Sequence, residues 1–280
     1  MKKIYLLYVV VILLLQVKDV SGEKLIFTQQ QLNVISTYLP DDRFRDSTEV
    51  EQLNKSVEPI LTEETLPNEV GEWDIRFIFD YFKNDEVINA TLPQVQLFFG
   101  IFKNLGGEIS LPLNYSKVDK VEYGFGSIST SVKWLIINQG YTIPAVVLGF
   151  EVGFPTNSFS KETEERAFEL SPYIAFLKDF GQVSFQGNLS RAVELPVPGG
   201  EKNYRTDFNI AFSFPIFEGK ADVFAELSSS WLTMEQNELF VSPGIKYNLN
   251  DEDCIALAVP LSLNNQRSNF RIIFQYQLEL

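Results

Sequence analysis

Apolar and polar positions alternate with a period of two along most of the chain after Gly71. The clearest run is 269–280. Phe270, Ile272, Phe274, Tyr276, Leu278 and Leu280 share one parity, and Arg271, Ile273, Gln275, Gln277 and Glu279 share the other. Side chains of a strand point alternately to its two faces, so the run predicts a strand with one apolar and one polar face. Eleven further runs repeat the pattern, at 73–81, 95–101, 109–115, 128–136, 146–154, 168–176, 183–189, 208–214, 221–231, 239–247 and 255–261. Their length is close to the roughly 9–11 residues that a tilted strand needs to cross a bilayer. A soluble sheet that finished on an apolar strand would offer an edge that recruits other chains. A barrel that pairs its last strand with its first has no such edge.

The two parities differ in kind as well as in polarity. One is dominated by Phe, Leu, Ile and Val. The other holds small and mixed residues, Ser, Gly, Asn and Gln, with scattered charge. Lipid outside and a polar lumen inside require that partition. Turn signals alternate in length, short at 104–107, 178–181, 217–220 and 250–253, longer at 84–93, 117–125, 156–166 and 191–203. Short turns on one rim and long ones on the other are the mark of an outer-membrane barrel, and an even strand number puts both ends of the sheet on the short-turn rim. The connection at 138–143 is too long for its rim. The expected fold class is therefore all-β, an antiparallel transmembrane β-barrel of about 12 strands, over residues 71–280. A secreted soluble β-rich binding protein is the rival fold.

Residues 1–22 carry Lys2 and Lys3, the apolar run 4–15 and the small residues Val20-Ser21-Gly22, the order of a signal peptide. Residues 23–70 are polar and acidic, with two weak helical patterns interrupted by Pro40, Pro59 and Pro67. They read as a periplasmic or linker segment, partly helical, with a plug as the functional alternative.

Composition narrows the chemistry. A net charge of -14 argues against nucleic acid, which needs a basic footprint. The chain has no His and a single Cys, Cys254. A Ser-His or Cys-His nucleophile pair and a His-ligated metal are thereby excluded. No catalytic, cofactor or metal site is expected, and the protein is not expected to be an enzyme. Glu162, Glu164 and Glu165 read as a solvated surface loop, with divalent cations near lipopolysaccharide as the functional alternative, and Asp251-Glu252-Asp253, which lacks the spacing and glycine of a calcium loop, reads as a solvated turn.

Several short motifs follow one another in a fixed order. They are Gly107-Glu108-Ile109-Ser110-Leu111-Pro112-Leu113, Gly124-Phe125-Gly126-Ser127-Ile128-Ser129, and Pro144-Ala145-Val146-Val147 leading to Gly153-Phe154-Pro155-Thr156. Ser171-Pro172-Tyr173, Pro243-Gly244-Ile245 and Ala258-Val259-Pro260-Leu261 continue the series. In order and spacing the chain resembles the outer-membrane transporter-like barrels grouped as "MetA-pathway of phenol degradation" proteins. The resemblance implies a bacterial outer-membrane barrel of a Gram-negative cell, with uptake of small, often aromatic, compounds suggested for some members of the group. It supplies no binding residues. Leu280 departs from the terminal aromatic common in such barrels. The expected partners are outer-membrane lipids, small-molecule solutes and the barrel assembly machinery.

The lumen parity carries Asp74, Arg76, Asp80, Glu108, Lys133, Glu151, Glu169, Asp207, Asp222, Glu226, Lys246 and Arg271. Of these, Arg76, Glu108, Lys133, Glu151, Asp207, Asp222, Glu226, Lys246 and Arg271 are the candidates for a selectivity-setting set of luminal charges. The same residues suit internal salt bridges that fill the barrel and seal it, which leaves a non-conducting structural or surface-interaction barrel as the alternative function.

Overall fold

A computed structural model describes residues 66–83, 88–117, 121–156, 167–181, 183–196, 202–232, 237–250, 252–264 and 270–280. The expected signal peptide (1–22), most of the segment 23–70 and the acidic run 162–165 lie outside them.

Fourteen strands form one antiparallel sheet. They are β1 (Trp73–Lys83), β2 (Ile88–Phe102), β3 (Leu105–Lys117), β4 (Val121–Phe125), β5 (Ser129–Ile137), β6 (Ala145–Gly153) and β7 (Ala167–Asp179), followed by β8 (Ser184–Pro196), β9 (Asn203–Ile216), β10 (Ala221–Leu232), β11 (Glu238–Asn248), β12 (Asp253–Ala258), β13 (Leu261–Ser262) and β14 (Phe270–Glu279). β4 and β5 both pair with β3, and β12 and β13 both pair with β11, so each couple is one broken stave. The sheet thus has twelve staves, and β1 pairs with β14 to close it. All twelve expected strands are present, in the expected order.

The connections differ from the expected ones on the rim away from the two sheet ends, called here the far rim. β1 and β2 stay paired as far as Lys83 and Ile88, so the expected loop 84–93 shrinks to 84–87. Pro93 suggested a loop because it cannot donate to a ladder. The strand absorbs it where the register shifts between Thr91 and Gln94, a bulge at which that donor is not needed. Likewise β4 fills most of 117–125, and β8 and β9 reduce 191–203 to 197–202. On the near rim the connection 138–143 does stay long, and it is tied down. Gln139 accepts from the Asp179 amide at 3.0 Å, and Lys178 Nζ donates to the Gly140 carbonyl at 2.8 Å.

Burial separates the two faces on several staves, most clearly on β5, β10 and β12. Phe212 points outward and is 42% exposed, whereas Ala256, on the opposite parity, is 2% exposed. Outward rings stack across neighbouring strands, with Phe185 and Phe212 4.8 Å apart and Phe79 and Phe274 6.0 Å apart. Cross-strand aromatic pairs of this kind stabilise a sheet by up to about 1 kcal/mol each. Trp73 and Trp134 face outward near the near rim and Trp231 near the far rim, where an interfacial girdle belongs. On the inner face, rings lie flat over glycines. A Cβ at Gly149 would fall inside the Tyr173 ring, and one at Gly244 inside the Phe224 ring. Both positions admit only glycine without moving the aromatic.

Candidate functional site in the barrel lumen

β1, β2, β3, β5 and β6 form one continuous wall, and period-2 geometry turns Arg76, Phe98, Glu108, Lys133 and Glu151 inward from it. The Phe98 ring, 2% exposed, lies between two cations. The Arg76 guanidinium carbon sits 4.5 Å from its centroid and Lys133 Nζ 5.0 Å. Desolvated cation–π contacts are worth up to about 2 kcal/mol each, which helps hold two buried cations in place. Glu108 supplies the opposing charge. It accepts from Gln96 Nε2 at 3.1 Å and from Ser131 Oγ at 3.4 Å. Glu151 stands opposite Ser131 in the register, one strand further on. Arg76 also donates to Gln277 at 3.3 Å, which joins this wall to β14 across the closing seam.

The remaining candidates fall into three other groups. Asp222 and Lys246 face each other directly between β10 and β11, and Glu226 stands opposite Ser242 four residues further on. Towards the far rim Arg205 bridges Glu169 and Asp207, both at 2.9 Å. Asp207 also accepts from Ser230 at 2.7 Å. Arg271 clasps Asp80 through both nitrogens, at 2.7, 3.1 and 3.2 Å. The candidates therefore form no single ring. They are four patches of opposed charge on the inner wall, two of them with more carboxylates than cations, and Asp207 and Arg271 border one recess at the far rim.

Not every luminal polar group is compensated by protein. The acceptors Gln96 Oε1, Asn188 Oδ1, Ser242 Oγ and Gln275 Oε1 are buried and meet no protein donor. All four belong to the inward parity. Buried acceptors of that kind are costly without a donor, and a single trapped water would satisfy each. Lys133 and Glu226 lie as deep, at 2% and 1% exposed, so the wall around both sets is closely covered.

Residues Pro67 to Glu69 cross this wall at the near rim. The Glu69 carbonyl lies where a Cβ of Gly100 would be, and Pro67 packs over Gly106. Both glycines share the inward parity of Phe98 and Glu108. Asn68 Nδ2 donates to luminal Asp74 at 2.8 Å. Gly71, with φ of 94°, then turns the chain into β1.

Three luminal residues escaped the sequence reading. Phe98 and Phe224 are aromatic on the polar parity, which hides them among residues sorted by polarity. Their spacing of two from Gln96 and from Asp222 and Glu226 is the signal that finds them. Arg205 fell at the edge of an expected loop, yet it keeps parity with Asp207 and Asn209.

No known protein family matches the sequence, and no curated protein matches it. Solved structures do. The chain is similar to the COG4313 outer membrane channel from Pseudomonas putida F1, with a TM-score of 0.63 at 10% identity over 80% of this chain and 100% of that one. It is also similar to the NanC porin, with a TM-score of 0.50 at 7% identity over 72% of this chain and 97% of that one. At these identities the likeness establishes the fold, that of an outer-membrane barrel.

Proposed function

We propose that the barrel sits in a bacterial outer membrane and is a passive, narrow channel for small solutes. The observation that carries this reading is the inward parity of the closed barrel, which lines it with charged and small polar side chains. A wall of that kind holds water, and a narrow wet lumen conducts. The similarity to a solved outer-membrane channel supports the fold on which the reading stands. Its partners on this reading are outer-membrane lipids, the barrel assembly machinery and small solutes. Membership of the "MetA-pathway of phenol degradation" group rests on the motifs at 107–113, 124–129 and 144–156, and a preference for aromatic solutes rests on that resemblance alone.

The twelve luminal charges named from the sequence comprise eight carboxylates and four cations. Carboxylates in a narrow pore of low dielectric favour cations. The test is flux from proteoliposomes. Small solutes and cations pass, and Glu151→Gln lowers the preference for cations over anions. The near-complete burial of Lys133 and Glu226 favours the second reading, a barrel sealed by its own side chains. No flux would overturn the channel and leave that reading. Flux that appears only after deletion of residues 23–70 would assign the seal to that segment.

A further inference from the structure

At the far-rim end of the lumen, the wall of β1, β2 and β3 recedes into a cavity of about 280 Å³. Asp80, Phe82, Asn89, Thr91, Asn114 and Ser116 line it. Its polar groups are ordered in advance. The Thr91 hydroxyl donates to Asn114 Oδ1 at 3.3 Å, and the Ser116 hydroxyl to Asn89 Oδ1 at 2.7 Å. Those bonds use the hydroxyl protons and the amide oxygens. Hydroxyl lone pairs and carboxamide N–H groups remain, so the recess offers acceptors and donors side by side. Its one charged wall residue, Asp80, is neutralised by Arg271.

That lining discriminates between ligand classes. An ion gains little where the charge is already compensated. An aromatic hydrocarbon would pack on Phe82 but strand two carboxamides and two hydroxyls, and a site built for hydrogen bonding rejects an analogue that cannot supply them. A neutral sugar ring meets both demands, with hydroxyls for the polar groups and a C–H face for Phe82. The cavity lies at the lower end of the roughly 300–1,000 Å³ typical of small-molecule sites, the size class of a single ring. A second recess, about 190 Å³, is lined by Phe240, Asn209 and Ser228 with Arg271 and the carboxylates Asp207 and Glu238, of which Asp207 is paired with Arg205. The Asp80–Arg271 pair therefore stands between two recesses that each offer one aromatic ring and neutral polar groups, the second being the more acidic.

We propose that the far-rim vestibule binds a free neutral saccharide, one ring against Phe82 and the next beyond the Asp80–Arg271 pair against Phe240. This deepens the channel reading, on which it rests for the onward passage of the sugar. The test uses the full chain folded in micelles of a detergent without a sugar headgroup. Maltose binding is followed by saturation-transfer NMR and calorimetry, with phenol as the comparison. Maltose binds saturably and more tightly than phenol. Asn114→Leu and Phe82→Ala each weaken it about ten-fold, the scale of one stranded or lost partner. Wild-type affinity in both variants, or phenol binding without maltose, would overturn the site. Maltose that binds in micelles but does not cross proteoliposomes would sink the channel reading and leave the site standing. Maltose flux without saturable binding would do the reverse.

Discussion

Phe98 shows how much one side chain decides. It is buried beside Arg76 and Lys133 on the inner wall and helps hold both cations in place. Phe98→Ala removes the ring and lets both cations relax towards water. If the lumen conducts and is narrowest at Phe98, single-channel conductance of Phe98→Ala rises roughly two-fold or more, because the narrowest point of a pore sets its resistance. Phe98→Leu, which keeps most of the bulk, stays near wild type. Unchanged conductance in Phe98→Ala would place the constriction elsewhere. At this scale the sequence was half legible. Parity alone assigned Arg76, Glu108, Lys133 and Glu151 to the lumen, since alternation is a property of every strand. It could not say that they converge on Phe98, because β1, β3 and β5 are brought together by pairing and not by spacing along the chain.

At the scale of a strand, β9 states the rule for the whole wall. Phe212 and Asn209 lie on opposite parities of one stave, the first stacked outward on Phe185 and the second lining the recess beside Phe240. Phe212→Arg places a charge against lipid and costs roughly 2–4 kcal/mol near the bilayer midplane, whereas Asn209→Arg costs about 1 kcal/mol or less. Urea unfolding from lipid vesicles measures the difference, and equal costs would refute the assignment of faces. Strands were the most legible level, since all twelve runs became staves. Their ends were the least legible. Pro93, Gly124 and the polar stretch from Arg191 to Asn203 carry loop-forming chemistry, yet neighbouring strands extend pairing through or into these stretches. A ladder already built on one side makes one more pair inexpensive, and local propensity does not register that.

The described strands form one ring of hydrogen bonds, and a ring has no edge to fray. Unheated protein in dodecyl sulfate therefore migrates faster than boiled protein, and a chain truncated before β14 shows only the slow form. Identical migration before and after boiling would count against a closed barrel. Closure was legible because the last run is a strand as apolar as the first. The two breaks in the wall were not: the two residues between β12 and β13 keep the surrounding parity, and the three between β4 and β5 shift it by one, beside a stretch that reads as a loop. The seam between β1 and β14 has a consequence in time. Arg271 and Asp80 are 191 residues apart in the chain, and Arg76 and Gln277 are 201. Contacts of that separation form late and slowly, because so much chain must be ordered before they reward it. Until the last hairpin arrives, β1 waits as an unpaired edge, exposed to any other strand that passes. The bidentate clasp of Arg271 on Asp80 then acts as a latch on the finished cylinder, so a variant lacking it would first betray itself as slow or mispaired assembly, with the finished barrel little changed.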